Sequence, residues 1–206
     1  MNKYIIFDFD GVLCDSTSLA YELHNLISDK YNLPKIYSGV DYLNIIDNSA
    51  IDKHLSLDDK KKYYKEHRDL IYKNKSKLEL FKQIIKLFSL NNDNFIIVSS
   101  TYEKTINEIL IKNNIKLLYV YGRETEGRKI DKVNKVLDIL NINKDDIIYI
   151  GDTLDDLKFC EKAEIDMFGS NYGYSNFDNV KSKCLKKVFK SPDEMVDYVF
   201  SNYKNK

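Results

Sequence analysis

The chain has 206 residues, 43% of them hydrophobic, enough for one substantial core or for a core that carries a smaller inserted domain. Its 32 basic residues balance its 32 acidic ones, so no net field draws it onto nucleic acid or an anionic membrane. The three cysteines lack a CxxC pair and the three histidines lack ligand spacing, which argues against zinc and favours free thiols in a reducing compartment. No apolar stretch reaches the roughly 18 residues that span a bilayer, so we expect a cytoplasmic protein.

Short apolar runs, each followed by Gly, Ser or Asp and then by a helical pattern, recur along the chain. They are residues 4–9, 95–98, 117–121 and 147–150. Repeated strand-then-helix units predict an α/β fold with a Rossmann-like parallel sheet, flanked by helices. Ligands bind such sheets beyond the carboxyl ends of the strands.

About 80 residues without a strand signal separate the first two runs, too many for a structureless loop. We therefore predict a small inserted α-helical cap over residues 15–80, and a catalytic core formed by residues 1–14 and 81–206. Pro34 and Gly39 are expected to mark a turn inside the cap. Residues 76–90 are expected to return to the core as a helix that ends near Asn91 and Asn92, and residues 201–206 are expected to fray.

Asp8 and Asp10 stand two apart at the end of the first predicted strand, so their side chains start toward the same face. Two such charges are costly side by side unless a cation compensates them, and magnesium favours carboxylates. The alternative is a plain strand end that enters a turn at Asp10 and Gly11.

A second group of carboxylates follows the run 147–150. Asp152 or Thr153 could simply cap the next helix, with Asp155 and Asp156 complementing its dipole. If the helix starts at about Thr153, however, Asp152 lies at the strand end facing the first pair, and Asp156 lies one turn into the helix. That arrangement predicts a carboxylate cluster around one metal.

The run 95–98 is followed by Ser99 and Ser100, and Ser100 has capping-box spacing to Glu103. We therefore expect a helix to start there, with Ser99 and free backbone N–H groups forming an anion site suited to a phosphate oxygen. Lys129, which enters a later helix, is the expected partner of a phosphate or of a nucleophilic carboxylate. An ordinary surface lysine is the alternative.

Two motif matches are rejected. Residues 122–129 nearly match a Walker A loop, but Arg128 and Lys129 stand where that motif needs Lys and then Ser or Thr. Residues 67–74 fit the kinase pattern HRDLxxxN, but the other kinase motifs are missing and the segment is typical of a continuous charged helix.

Taken together, these segments resemble the haloacid dehalogenase superfamily of phosphohydrolases, in its phosphoglycolate-phosphatase-like branch with a helical cap inserted after the first motif. The resemblance covers nearly the whole chain. The segments that carry it are residues 7–13 with Asp15 and Ser16, then Val98 and Ser99, then Lys129, and finally residues 151–156. Ile130 departs from the common Lys-Pro, so either Lys129 or Arg128 could be the third motif's cation.

The resemblance implies a magnesium-dependent phosphatase acting on a small phosphorylated metabolite, with no nucleic-acid or membrane partner. It makes Asp8 the nucleophile that forms an aspartyl-phosphate and Asp10 the general acid and base. The implied roles of the remaining residues fall into two sets. Phosphate binding falls to Gly11, Ser99, Ser100 and Lys129, and metal binding to Asp8, Asp10 through its backbone carbonyl, Asp152 and Asp156.

Two alternatives stay open within this resemblance. A β-phosphoglucomutase-like mutase keeps the same core and returns the phosphoryl group to the sugar. A catalytically inactive binding or regulatory protein could occupy the same scaffold, although the intact carboxylates argue against it. Dehalogenation is disfavoured, because dehalogenases lack an aspartate at the position of Asp10.

Overall fold

The computed structural model describes residues 4–37, 50–90 and 93–203. The chain divides into two compact units. The core unit comprises Met1–Cys14 and Leu80–Lys206, and the inserted unit comprises Asp15–Glu79.

Eight strands occur in the described residues, six of them in one parallel sheet. They are β1 (Tyr4–Phe7), β2 (Cys14–Asp15), β3 (Glu79–Leu80), β4 (Phe95–Val98), β5 (Tyr119–Tyr121), β6 (Ile147–Gly151), β7 (Met167–Ser170) and β8 (Leu185–Phe189). The large sheet has the order β5-β4-β1-β6-β7-β8, and every neighbouring pair in it is parallel. β2 and β3 form a separate two-stranded sheet.

Helices connect the strands of the large sheet from β1 to β7, whereas the parallel strands β7 and β8 are joined by residues 171–184 without a helix. Those of the core unit are α4 (Lys82–Leu90), α5 (Glu103–Lys112), α6 (Lys129–Leu140), α7 (Leu154–Ala163) and α8 (Pro192–Asn202); those of the inserted unit are α1 (Thr17–Ile27), α2 (Ala50–His54) and α3 (Leu57–Lys73). Short 3₁₀ turns complete the described helical structure at Ser28–Tyr31, Lys75–Lys77 and Lys144–Asp146. The predicted α/β class is confirmed.

The central strands are apolar throughout because both faces of the sheet are covered. Every residue of β4 and β6 is buried, and in β1 only Tyr4 is partly exposed. Aromatic rings fill the space beside them. Phe7 contacts Phe95 with ring centroids 5.4 Å apart, and Tyr149 contacts Phe159 at 4.7 Å. This packing fixes the strand ends from which the polar residues project.

Several predicted boundaries differ from the structure. β1 ends at Phe7 rather than at residue 9, because the chain turns through Gly11, whose φ is +67°. β7 and β8 were not predicted at all, and the helix expected at residues 76–90 begins at Lys82. The turn expected at Gly39 and the helix end expected at Asn91 and Asn92 lie outside the described residues. Residues 204–206 of the expected frayed end also lie outside the described residues. Residues 201 and 202 are not frayed, because α8 continues to Asn202.

The inserted unit is built on α1 and α3, and α3 contains residues 67–73 of the kinase-like segment, with Asn74 as its C-cap. Two buried histidines join these elements. His67 Nε2 donates to the carbonyl of Ala20 at 2.7 Å, and His24 Nε2 donates to that of Pro34 at 2.9 Å. Tyr63 lies between the two rings, with its hydroxyl 2.6 Å from His24 Nδ1. Because a carbonyl only accepts, His24 Nδ1 is left to accept from Tyr63.

In the described parts of the chain, no helix combines the length and the apolar character that crossing a membrane requires.

Candidate active site

The sheet order brings three of the predicted polar residues to one edge. Asp8 follows β1, Ser99 follows β4 and Asp152 follows β6, and β1 lies between the other two strands. The backbone continues the strand pairing at this edge, since Asp8 N–H donates to the carbonyl of Ile150 at 2.8 Å. Parallel strands therefore place the polar residues at their carboxyl ends side by side.

Lys129, the first residue of α6, connects two buried carboxylates. Its Nζ lies 2.5 Å from Asp8 Oδ2 and 2.7 Å from Asp156 Oδ1. The other oxygen of Asp8, Oδ1, accepts from the backbone N–H of Phe9 at 2.7 Å. The carboxylate of Asp8 is thus held at both oxygens, one of them beside a cation.

Asp156 serves both the helix and the cluster. Thr153 is the N-cap of α7, and it exchanges capping-box hydrogen bonds with Asp156, whose Oδ2 accepts from the Thr153 hydroxyl at 2.6 Å. Oδ1 faces Lys129 and also accepts from the Tyr149 hydroxyl at 3.3 Å. The capping and metal-cluster interpretations, left as alternatives from sequence, therefore describe the same side chain.

Asp152 is fully buried, and its two oxygens have different surroundings. Oδ2 accepts from the backbone N–H of Tyr174 at 2.8 Å. Oδ1 has no hydrogen-bond partner among the residues that the structure describes. A buried carboxylate oxygen without a partner is costly, and a bound cation would remove that cost.

Three carboxylates lie here with one ammonium, and the pKa values of Asp8, Asp152 and Lys129 are shifted. Burial raises the pKa of Asp8 to about 6, although Lys129 opposes the shift. Burial, with repulsion from Asp8 and Asp156, raises the pKa of Asp152 well above its usual range. For Lys129, burial acts to lower the pKa, but attraction to Asp156 and Asp8 outweighs it and raises the pKa.

Asp10 lies apart from this group. Its carboxylate accepts a hydrogen bond from the hydroxyl of Thr101, in the segment between β4 and α5. The side-chain cluster that could hold a metal consists of Asp8, Asp152 and Asp156. Asp10 therefore faces the end of β4, where Ser99 and Thr101 lie.

The capping box predicted for Ser100 and Glu103 is wrong. α5 begins at Glu103 with Tyr102 as its N-cap, and no side-chain cap comes from that residue. The carboxylate of Glu124 accepts instead from the backbone N–H of Glu103 at 2.6 Å and from that of Lys104 at 3.4 Å. The first amides of α5 are therefore bonded to a carboxylate of the protein, and Ser100 is exposed.

Ser99 is buried at the end of β4, and its hydroxyl accepts from the backbone N–H of Thr101 at 3.2 Å. Gly11, expected to bind phosphate, donates its own N–H to the carbonyl of Cys14 at 3.0 Å. Arg128 points outward, and its Nε lies 3.3 Å from Asp131 Oδ2. Of the two candidate cations, Lys129 is the one in contact with Asp8.

Sequence reasoning missed a second buried lysine, one turn further along α6. Lys132 Nζ donates to the carbonyl of Ser99 at 3.2 Å and also to that of Gly122, so it joins the ends of β4 and β5. Its spacing of three from Lys129 was a usable signal, because residues three apart share a helix face. Thr101 and Tyr174 were also missed, and the Tyr174 contact, made by its backbone, has no side-chain signature.

The residues present fit a divalent cation. Asp8, Asp152 and Asp156 each offer a carboxylate oxygen, and these atoms lie within 4.8 Å of one another. Hard oxygen donors are the ligands that magnesium prefers, and the unpartnered Asp152 Oδ1 is one of them.

Comparison with known proteins identifies the family of the chain. The sequence model of the family described as haloacid dehalogenase-like hydrolase matches residues 5–170. The chain belongs to this family. The match includes all the carboxylates described above as well as Ser99 and Lys129.

Individual proteins match this chain at low sequence identity. A phosphoglycolate phosphatase from Psychrobacter arcticus is 29% identical over 68 residues, which cover 33% of this chain and only 30% of that protein. A haloacid dehalogenase-like hydrolase from Streptococcus pneumoniae has a similar structure, with a TM-score of 0.76 at 20% identity over 95% of this chain and 97% of that one. A predicted phosphatase from Clostridium acetobutylicum reaches 0.77 at 19% identity, over 98% and 99%. At these identities the structural likeness concerns the fold.

Proposed function

We propose that this protein is a magnesium-dependent phosphatase that hydrolyses a small phosphorylated metabolite through an aspartyl-phosphate on Asp8. The observation that carries the proposal is the contact of Lys129 with both Asp8 and Asp156, beside the unpartnered oxygen of Asp152. A nucleophilic carboxylate held next to an ammonium and two further carboxylates suits phosphoryl transfer, because charge must be balanced as the phosphoryl group moves.

Asp8 would act first. One of its carboxylate oxygens attacks phosphorus and forms the P–O bond of the aspartyl-phosphate, while the bond to the leaving oxygen breaks. Asp10 gives its proton to that oxygen, so an alcohol departs. In the second half, Asp10 takes a proton from a water molecule, which attacks phosphorus and releases inorganic phosphate and the free Asp8 carboxylate.

Other residues of the chain hold the reacting groups. Lys129 would stabilise negative charge on the phosphoryl oxygens, and the Ser99 hydroxyl would donate to one of them. Thr101 orients the carboxylate of Asp10 through its hydroxyl. Asp8, Asp152 and Asp156 would hold magnesium, which supplies charge neutralisation for the phosphoryl group when bound.

The inserted unit, Asp15–Glu79, is proposed to act as a cap that selects the substrate. Phosphoglycolate is the first compound to test, because the curated relative matched over part of its length is a phosphoglycolate phosphatase. The chain is short, and its net charge of zero suits a small-molecule substrate better than a polyanion.

The test is hydrolysis of p-nitrophenyl phosphate and of a panel of phosphorylated metabolites, with magnesium and with a chelator. Asp8→Asn is expected to lose activity, whereas Asp155→Asn is the matched control, because Asp155 is an exposed neighbour of Asp156 paired with Lys158. Phosphorylation of the wild-type protein that hydroxylamine removes, and that does not occur in Asp8→Asn, would support the aspartyl-phosphate.

Two results would redirect the proposal. Transfer of the phosphoryl group back to a sugar monophosphate, so that label is retained on a bisphosphorylated sugar with little free phosphate, would indicate a mutase. No turnover by wild type or Asp8→Asn across the panel would favour a binding protein on the same scaffold, and equal turnover by both would exclude Asp8 as the nucleophile.

A further inference from the structure

The loop that follows β7, residues 171–175, contacts Asp152 at two places. The backbone N–H of Tyr174 donates to Asp152 Oδ2 at 2.8 Å, and the backbone N–H of Ser175 donates to the Asp152 carbonyl at 2.9 Å. The loop thus holds both the side chain and the main chain of this aspartate.

Gly173, in the same loop, packs directly against the carboxylate. A Cβ at this position would lie 2.4 Å from Asp152 Oδ2 and 2.6 Å from the carbonyl oxygen of Gly11. A Cβ on Gly11 would lie 2.1 Å from the same Oδ2. Asp152 Oδ2 is therefore enclosed by two glycine backbones, and no larger residue fits at either place without moving the carboxylate.

The loop also ties down the segment that follows β1. The hydroxyl of Ser170, at the end of β7, donates to the carbonyl of Gly11 at 3.2 Å. The hydroxyl of Tyr172 donates to the carbonyl of Val12 at 3.1 Å. The post-β7 loop and the turn after Asp10 are consequently one packed layer around Asp152.

We propose that the post-β7 loop positions Asp152 for metal binding, with Gly173 as the residue that makes the close approach possible. The Tyr174 amide and the two glycine backbones surround Oδ2, so the unpartnered Oδ1 is the oxygen that the loop leaves open to a cation. Groups that orient a metal ligand commonly affect metal affinity by about 10–100-fold. This inference rests on the proposed function, because it takes the three-carboxylate cluster as the metal site.

Gly173→Ala tests the inference, and Gly169→Ala in β7 is its matched control. Both add one methyl group in a tight place, but a Cβ at Gly169 would meet Phe177 Cδ2 at 2.8 Å instead of a metal ligand. Binding of Mn²⁺ is measured on metal-free protein from the loss of its free-ion electron paramagnetic resonance signal, and binding of Mg²⁺ by calorimetry. Substrate is absent, and urea unfolding reports the stability of each variant.

Gly173→Ala is expected to weaken Mn²⁺ and Mg²⁺ binding by about tenfold or more, while Gly169→Ala keeps wild-type affinity within about twofold. If Gly173→Ala fails to fold, Tyr172→Phe replaces it, because it removes only the hydroxyl that reaches Val12 and should weaken binding by roughly threefold. Wild-type affinity in the loop variant, or equal weakening in Gly169→Ala, overturns the role of the loop but leaves the proposed function standing. A wild-type protein that binds neither ion overturns both.

Discussion

Replacing Lys129 with methionine should destabilise the metal-free protein by roughly 3–5 kcal/mol at neutral pH, the usual cost of breaking a buried ion pair from one side. Methionine keeps the length and flexibility of the side chain, so little of this cost comes from packing. This range applies because the ion pair is largely buried. The side chain of Lys129 is only 18% exposed, and the two carboxylates that it contacts are 7% and 1% exposed.

The cost should also depend on pH. Lys129 lowers the pKa of Asp8, so its removal raises that pKa further above about 6. The folded variant then binds more protons than folded wild type just above this pH, and it regains stability relative to wild type as the pH falls through that range.

Urea unfolding with a chelator present measures both effects. Lys135→Met, on the exposed side of the same helix, is the control and should cost less than about 1 kcal/mol. A Lys129→Met variant that is no less stable than this control, or whose deficit grows on acidification, would refute the interpretation of Lys129 as the cation of the cluster.

Three smaller predictions follow from other contacts. Thr101→Val should lower kcat by roughly tenfold with little change in KM, because Asp10 loses the hydroxyl that orients it. Thr101→Ser should keep the wild-type kcat, and an unchanged kcat in the valine variant would contradict the prediction. Glu124→Ala should destabilise the protein by roughly 0.5–1 kcal/mol in thermal or urea unfolding, whereas the exposed Glu126→Ala should not, and equal losses would exclude helix capping. His24 and His67 should titrate below 6.5 by NMR, because burial lowers their pKa values, and a pKa at or above 6.5 would contradict this. The unfolded chain then binds more protons than the folded one just below pH 6.5, so the protein loses stability as the pH falls below that value.

The sequence could place Asp8, Ser99 and Asp152 near one another because each lies at the end of an apolar run. Parallel strands bring such positions to the same sheet edge without any knowledge of side-chain contacts. The same logic failed for β7 and β8. β7 has only two apolar residues before Gly169 and Ser170, and β8 carries two lysines on a partly exposed strand. Neither has the continuous apolar character of the central strands.

Interactions between distant residues explain the other differences. Glu124, not Ser100, accepts from the first amide of α5, that of Glu103. The two residues are 21 positions apart, so local spacing cannot identify this partner. Likewise, spacing alone left Arg128 as an alternative to Lys129, and the contact that decides between them joins Lys129 to Asp8, 121 residues away. The contact from Tyr174 to Asp152 uses a backbone N–H, which every residue except proline carries.

The position of β1 between β4 and β6 has a consequence for local motion. Proteins open in parts, and the edges of a sheet fray more readily than strands with neighbours on both sides. Fluctuations that release β5 or β8 would leave the hydrogen bonds of β1 to both neighbours in place. The backbone that carries Asp8 should therefore be among the last to exchange its amide protons with solvent, so the proposed nucleophile would keep its position through partial openings of the molecule.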